Sequence, residues 1–136
     1  MPKLDSAIRY ARAIRRNLQR YGSWGPALGG ACGLASIRLA IKLKDPKTLV
    51  LGDFIWDGRE HPHAWNLIDG HIVDITATQF DCYAATKYPA IHVVHSRSRD
   101  ARIYAQITRG LRAARRMDEW TYRGWRQLRE TLATYS

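Results

Sequence analysis

The sequence predicts an α+β fold, with helices at both ends of the chain around an antiparallel sheet. Residues 5–21 and the tail from about Asp100 repeat apolar side chains every three or four positions. Between them lie short β-branched runs, and Asp69-Gly70 joins two of these as a two-residue hairpin turn does.

Each element has its own local reason. Leu4, Ala7, Ile8, Ala11, Ile14, Leu18 and Tyr21 form one stripe, with Arg9, Arg12, Arg16 and Arg20 mostly opposite. Asp5 or Ser6 can cap this helix and Gly22 can end it. Ser23-Trp24-Gly25-Pro26 and Gly29-Gly30 mark a loop. A second helix begins near Cys32 and runs through Leu34, Ile37, Leu39 and Ile41 until Asp45-Pro46 stops it. Strands are expected over 48–55, 63–68, 71–76 and 90–95, with turns at Asp57-Gly58 and Asp69-Gly70. From about Asp100 the tail reads as helix, broken near Met117. Tyr104, Ile107, Leu111 and Ala114 give one stripe, and Trp125, Leu128, Leu132 and Tyr135 a second.

With no internal repeat, no low-complexity tract and no persuasive boundary, the 136 residues read as one domain. A basic N-terminal helix (1–22) precedes a core (23–96), and basic C-terminal helices (97–136) follow it. At 46% hydrophobic and 25% charged, the chain has too much apolar content for a disordered one. No apolar run is long enough to span a membrane, and no secretory h-region follows the first charges. A cytoplasmic setting is therefore expected. The Arg-rich start also resembles an organelle transit peptide in composition. Two cysteines make no disulfide framework, so both thiols should stay reduced.

The charge of +10 is uneven. Residues 1–20 hold six Lys/Arg against one acid, 21–96 six against seven, and 97–136 ten against four. Basic ends of this kind suit nucleic acid, an acidic protein or an anionic surface, or are simply solvated helix faces. In the tail, Arg109, Arg112, Arg115, Arg116, Arg123, Arg126 and Arg129 interleave with Trp120, Tyr122 and Trp125. That mixture can hold single strands by phosphate contact and stacking.

The chemistry-bearing residues follow from hairpin geometry. With Asp69-Gly70 as the turn, position i pairs with 139 − i, so Asp74 faces Trp65 and lies diagonal to His63 on the same face. Diagonal neighbours are about 7–8 Å apart at Cα, a gap that His and Asp side chains can bridge. Asn66 falls on the other face, in a structural place. Cys32 follows Gly29-Gly30-Ala31 at a predicted helix N-terminus, where unpaired N–H groups and the helix dipole favour a thiolate. The N–H of Cys32 is placed as an oxyanion donor. Nucleophile, base and orienter are the parts acyl transfer requires.

The run from His63 to Thr76, a His-x-Trp strand, a Gly turn, then Asp-x-Thr, resembles the His and Asp strands of transglutaminase-like proteins. Cys32 stands before it in the matching order Cys, His, Asp, and the resemblance covers about residues 24–96. It implies a papain/transglutaminase-like core, a nucleophile-bearing helix against an antiparallel sheet, and a thioester resolved by water or an amine. The expected catalytic residues are Cys32, His63 and Asp74, acting on a protein or peptide substrate without cofactor or metal. Trp65, Trp24 and Gln79 are the candidates to line the acyl site. Gly33 stands where the family has a large aromatic, and no Gln closely precedes Cys32.

Other readings compete. Cys82 is expected to be structural. A zinc site from His61, His63, His71 and Cys82 lacks the usual Cys-x-x-Cys spacing. The same fold can also serve without catalysis, its basic ends gripping nucleic acid or an acidic protein.

Overall fold

The computed structural model describes residues 3–22, 24–25, 28–56, 58–81 and 87–115. Helix α1 spans Lys3–Tyr21 and α2 spans Cys32–Leu43. The strands are β1 (Leu49–Trp56), β2 (Arg59–Ile68), β3 (His71–Asp74), β4 (His92–His95) and β5 (Tyr104–Arg109), and α3 is Gly110–Arg115. They form one antiparallel sheet in the order β4-β3-β2-β1-β5. The fold is α+β, as the sequence pattern requires. No helix among the described residues is long and apolar enough to cross a membrane.

In α1, Ala7, Ala11 and Leu18 are buried while Arg9, Arg12, Arg16 and Arg20 face solvent. Tyr21 leaves the stripe and is 72% exposed beside Arg20. Helix α2 stops where Lys44 turns left-handed (φ 56°) and Asp45 N–H donates to Ala40 O, one residue before Pro46.

Ile68 pairs with His71, Leu67 with Ile72 and Asn66 with Val73, the register a two-residue turn dictates. Asp69 (φ 49°) and Gly70 (φ 74°) both take positive φ, as a type I′ turn needs. Alternation along β2 then divides the core. Ile68, with Val73 of β3, joins Ala7, Ala11, Leu18, Ala35 and Leu39 of the two helices. Trp65, with Ile72, packs instead with Val50, Phe54, Phe80 and Tyr104 on the other side. Asn66 donates to Ser36 O (2.9 Å) and Thr48 Oγ1 (3.2 Å), tying β2 to α2 in the structural role expected of it.

The tail departs from expectation. A 3-10 turn at Arg99–Ile103 leads into β5, not a helix, and the described helix is only Gly110–Arg115. Tyr104 and Ile107, three apart, fit either period. In the strand Tyr104 turns inward while Ile107 stays 55% exposed, and β5 supplies the ladder that the free edge of β1 needs. The core therefore runs beyond residue 96 through β5 to Ala113 of α3, which is buried with Ile37, Ala40 and Leu49. The second tail stripe, and the arginines and aromatics past Arg115, lie outside the described residues.

Candidate active site

Helix α2 begins at Cys32 after two tight turns, Leu28 N–H to Gly25 O and Ala31 N–H to Leu28 O. Gly30 there holds φ 82°, a conformation a β-carbon would oppose. No side chain caps α2, so its first N–H groups and the positive end of its dipole remain uncapped beside the half-buried Cys32.

The ladder between β2 and β3 ends at Asn66–Val73, and β2 continues past it to His63. His63 is 1% exposed and Asp74 is fully buried. Nε2–H of His63 donates to Asp74 Oδ2 at 2.7 Å. The Cys32 side chain is close enough to act electrostatically on the ring. Burial alone would lower the His63 pKa, but the Asp74 charge and hydrogen bond, followed by Cys32, push it up to about 10. Burial alone would raise Asp74, yet His63, Thr76 N–H and the Tyr104 hydroxyl hold it below the usual carboxylate range. At neutral pH the pair is an imidazolium on a carboxylate.

Gln79 belongs to this group. The 3-10 turn Ala77–Phe80 carries its amide between Gly30 and His63. Gly30 N–H donates to its Oε1 (3.3 Å), while its Nε2 donates to Thr76 Oγ1 (3.0 Å) and lies 3.4 Å from His63 Nδ1. Trp65 does not line an open acyl site. It is 3% exposed, its ring centroid 6.0 Å from that of His63, and with Phe54, Phe80 and Tyr104 it walls the imidazole from water. The reason is the pleat: the face that aims His63 aims Trp65 into the second core. Trp24 is half-buried and packs on the helix-side cluster.

Two residues escaped the sequence reading. Arg15 falls within the α1 stripe and is 7% exposed. It donates to Ile75 O (2.7 Å), Ala90 O (3.1 Å) and Thr78 Oγ1 (3.0 Å), strapping down the segment that follows Asp74. Its place between Ala11 and Leu18 was the available signal. Tyr104 reaches across the sheet and donates to Asp74 Oδ2 (2.8 Å), its oxygen in turn accepting from His92 Nδ1–H (2.8 Å). No local signal marks it.

Burial and then the Asp74 charge push the Tyr104 pKa far up, so the hydroxyl remains a donor. Tyr104→Phe removes one of the bonds that keep Asp74 ionised, raising its folded pKa. Stability carried by a depressed carboxylate is lost as pH falls through that pKa, so acid unfolding of the variant should begin at a higher pH than in the native protein. Thermal melts across the acid range check this. A uniform loss of Tm with an unmoved pH midpoint would refute it.

No group of three or more His, Cys, Asp or Glu among the described residues is arranged to hold a metal ion. His71 donates to Asp69 O (2.9 Å) and meets His95 ring to ring, away from such a role. Cys82 lies outside the described residues. No protein-family model, curated protein or solved structure matches the chain.

Proposed function

We propose that the protein is a cysteine-dependent hydrolase or acyltransferase acting on an amide bond, with a papain/transglutaminase-like core. One observation carries the proposal: a buried imidazole fixed at Nε2 by Asp74 and electrostatically coupled to the half-exposed thiol of Cys32 at a helix N-terminus. In this reading the Cys32 thiolate attacks the carbonyl carbon, and the C=O electron pair moves to oxygen. The N–H of Cys32 meets that charge. His63 Nδ1–H protonates the departing amine as the C–N bond breaks, leaving a thioester. Water, or an acceptor amine, then gives a proton to Nδ1 and attacks the thioester, and C–S cleavage returns the thiolate. Asp74 keeps its charge and holds the ring in one orientation throughout. The substrate is a protein or peptide, and a reducing compartment such as the cytoplasm keeps the nucleophile free.

A second reading is a binding module of the same fold, supported by the solvent-facing arginines of α1. Iodoacetamide separates the two. Below pH 7 Cys32 should be alkylated at least about tenfold faster in the native protein than in His63→Ala. p-Nitrophenyl acetate should also leave an acetyl group on Cys32, seen by mass spectrometry. A Cys32 that reacts as an ordinary thiol, indifferent to His63, rejects catalysis and leaves the binding module.

A further inference from the structure

Beside the turn that carries Gln79 lies a cavity of about 510 Å³, lined by Arg12, Arg15, Arg16 and Gln19 of α1 and by Pro89, Ala90 and Ile91. The arginines gather because positions 12, 15, 16 and 19 share one side of a helix. Arg15 forms the inner part, anchored to Ile75, Thr78 and Ala90. Arg12 and Arg16 are exposed at the mouth and have no ion pair among the described residues. Among the described residues no carboxylate lines the cavity. The nearby Asp74 is bonded to His63, and Asp81 accepts from Tyr88 N–H. Arg15 feels the charges of Asp74 and Asp81, so among the described residues the positive charge left without an ion pair at this recess is that of Arg12 and Arg16.

Its position ties the recess to the thiol. Arg15 bonds Thr78, and the next residue, Gln79, lies against His63. The opposing wall, Pro89 to Ile91, carries no acidic group and no aromatic ring. Among the described residues no stacking platform for bases lines the recess, which disfavours a single-stranded nucleic acid. An apolar wall facing guanidinium groups suits the methylene stem and carboxylate of an acidic side chain.

We propose that this cavity binds an acidic residue of a polypeptide substrate, placing a neighbouring amide bond at Cys32. The cavity stands on its own geometry; only its part in catalysis rests on the thiol-enzyme reading.

The test uses the full chain and a fluorescein-labelled Glu-Gly repeat peptide, with binding read by anisotropy at moderate salt. The double variant Arg12→Gln/Arg16→Gln should weaken binding roughly tenfold or more. Arg97→Gln/Arg102→Gln removes the same charge from exposed sites elsewhere and should change it less than about twofold. Saturating unlabelled peptide should slow iodoacetamide modification of Cys32 several-fold in the native protein. Equal loss in both double variants would mean diffuse charge attraction and overturn the site. Binding without protection of Cys32 would overturn its place beside the thiol. Tighter binding of a single-stranded oligonucleotide through Arg12 and Arg16 would overturn the peptide assignment. The alkylation rate without peptide reports separately on the His63-activated thiol, so a failure of the enzyme reading is not confused with a failure of the cavity.

Discussion

Asp74→Ala should destabilise the protein by about 3–5 kcal/mol near pH 6, because it strips the counter-ion from a buried imidazolium. Four donors lose their acceptor at once: His63 Nε2–H, Tyr104 O–H, Thr76 N–H and, more weakly at 3.5 Å, the Thr76 hydroxyl. Each unsatisfied buried group costs about 1–3 kcal/mol, which sets the scale. The pH dependence gives a sharper signature than the magnitude. In the native protein the His63 pKa is raised from 6.5 to about 10, so its contribution is complete below 6.5 and lost as pH rises toward 10. The Asp74 pKa is lowered from 3.8, so its contribution is complete above 3.8 and lost as pH falls through the folded value. The pair should therefore stabilise most between these limits. In Asp74→Ala burial, which lowers the His63 pKa, is the largest cause left and outweighs the smaller upward push of Cys32. The sign then reverses: the variant should lose stability on acidification through the ordinary histidine range and show no alkaline decline from this pair. Urea melts at several pH values decide it, and parallel stability profiles for the two proteins would refute the ion pair.

Gly52→Val should be nearly as damaging, at about 3 kcal/mol or more. Gly52 pairs with His63 on one side and Gln106 on the other, where the register of β1 against β5 shifts. A β-carbon there would lie 2.7 Å from Trp65 Cη2 and closer still to Ala105 O. The indole is held in the second core and the carbonyl belongs to the neighbouring strand, so neither yields cheaply. Overpacking typically costs about 1–3 kcal/mol, and each ladder bond lost adds about 1. The indole would be driven toward His63, so Cys32 alkylation should slow along with the fall in Tm. A variant with native Tm and native thiol reactivity would show that β5 is not seated as described.

The triad candidates were legible because their signals are local. The Asp69-Gly70 turn dictates a register, the register puts His63 and Asp74 on one face, and the observed 2.7 Å bond is what that geometry allows. Asn66 on the opposite face follows from the same alternation. Gln79 could be named as a candidate, but not the way its amide bridges Gly30 and His63 across 49 and 16 positions of sequence.

Local periodicity thus determined α1, α2, the central hairpin and the side of the sheet on which His63 and Asp74 meet. Tertiary structure decided the rest. Tyr104–Arg109 became a strand because β1 offered an unpaired edge, a partner no local window contains. Arg15 turned inward because Ile75 O, Ala90 O and Thr78 Oγ1, 60 to 75 residues away, needed donors. Trp65 became a buried wall and not a substrate surface because Phe54, Phe80 and Tyr104 close over the same face. Helix and hairpin signals repeat within a few residues and survive in the sequence. Pairings between distant segments depend on which backbone groups remain unsatisfied once the chain has closed on itself.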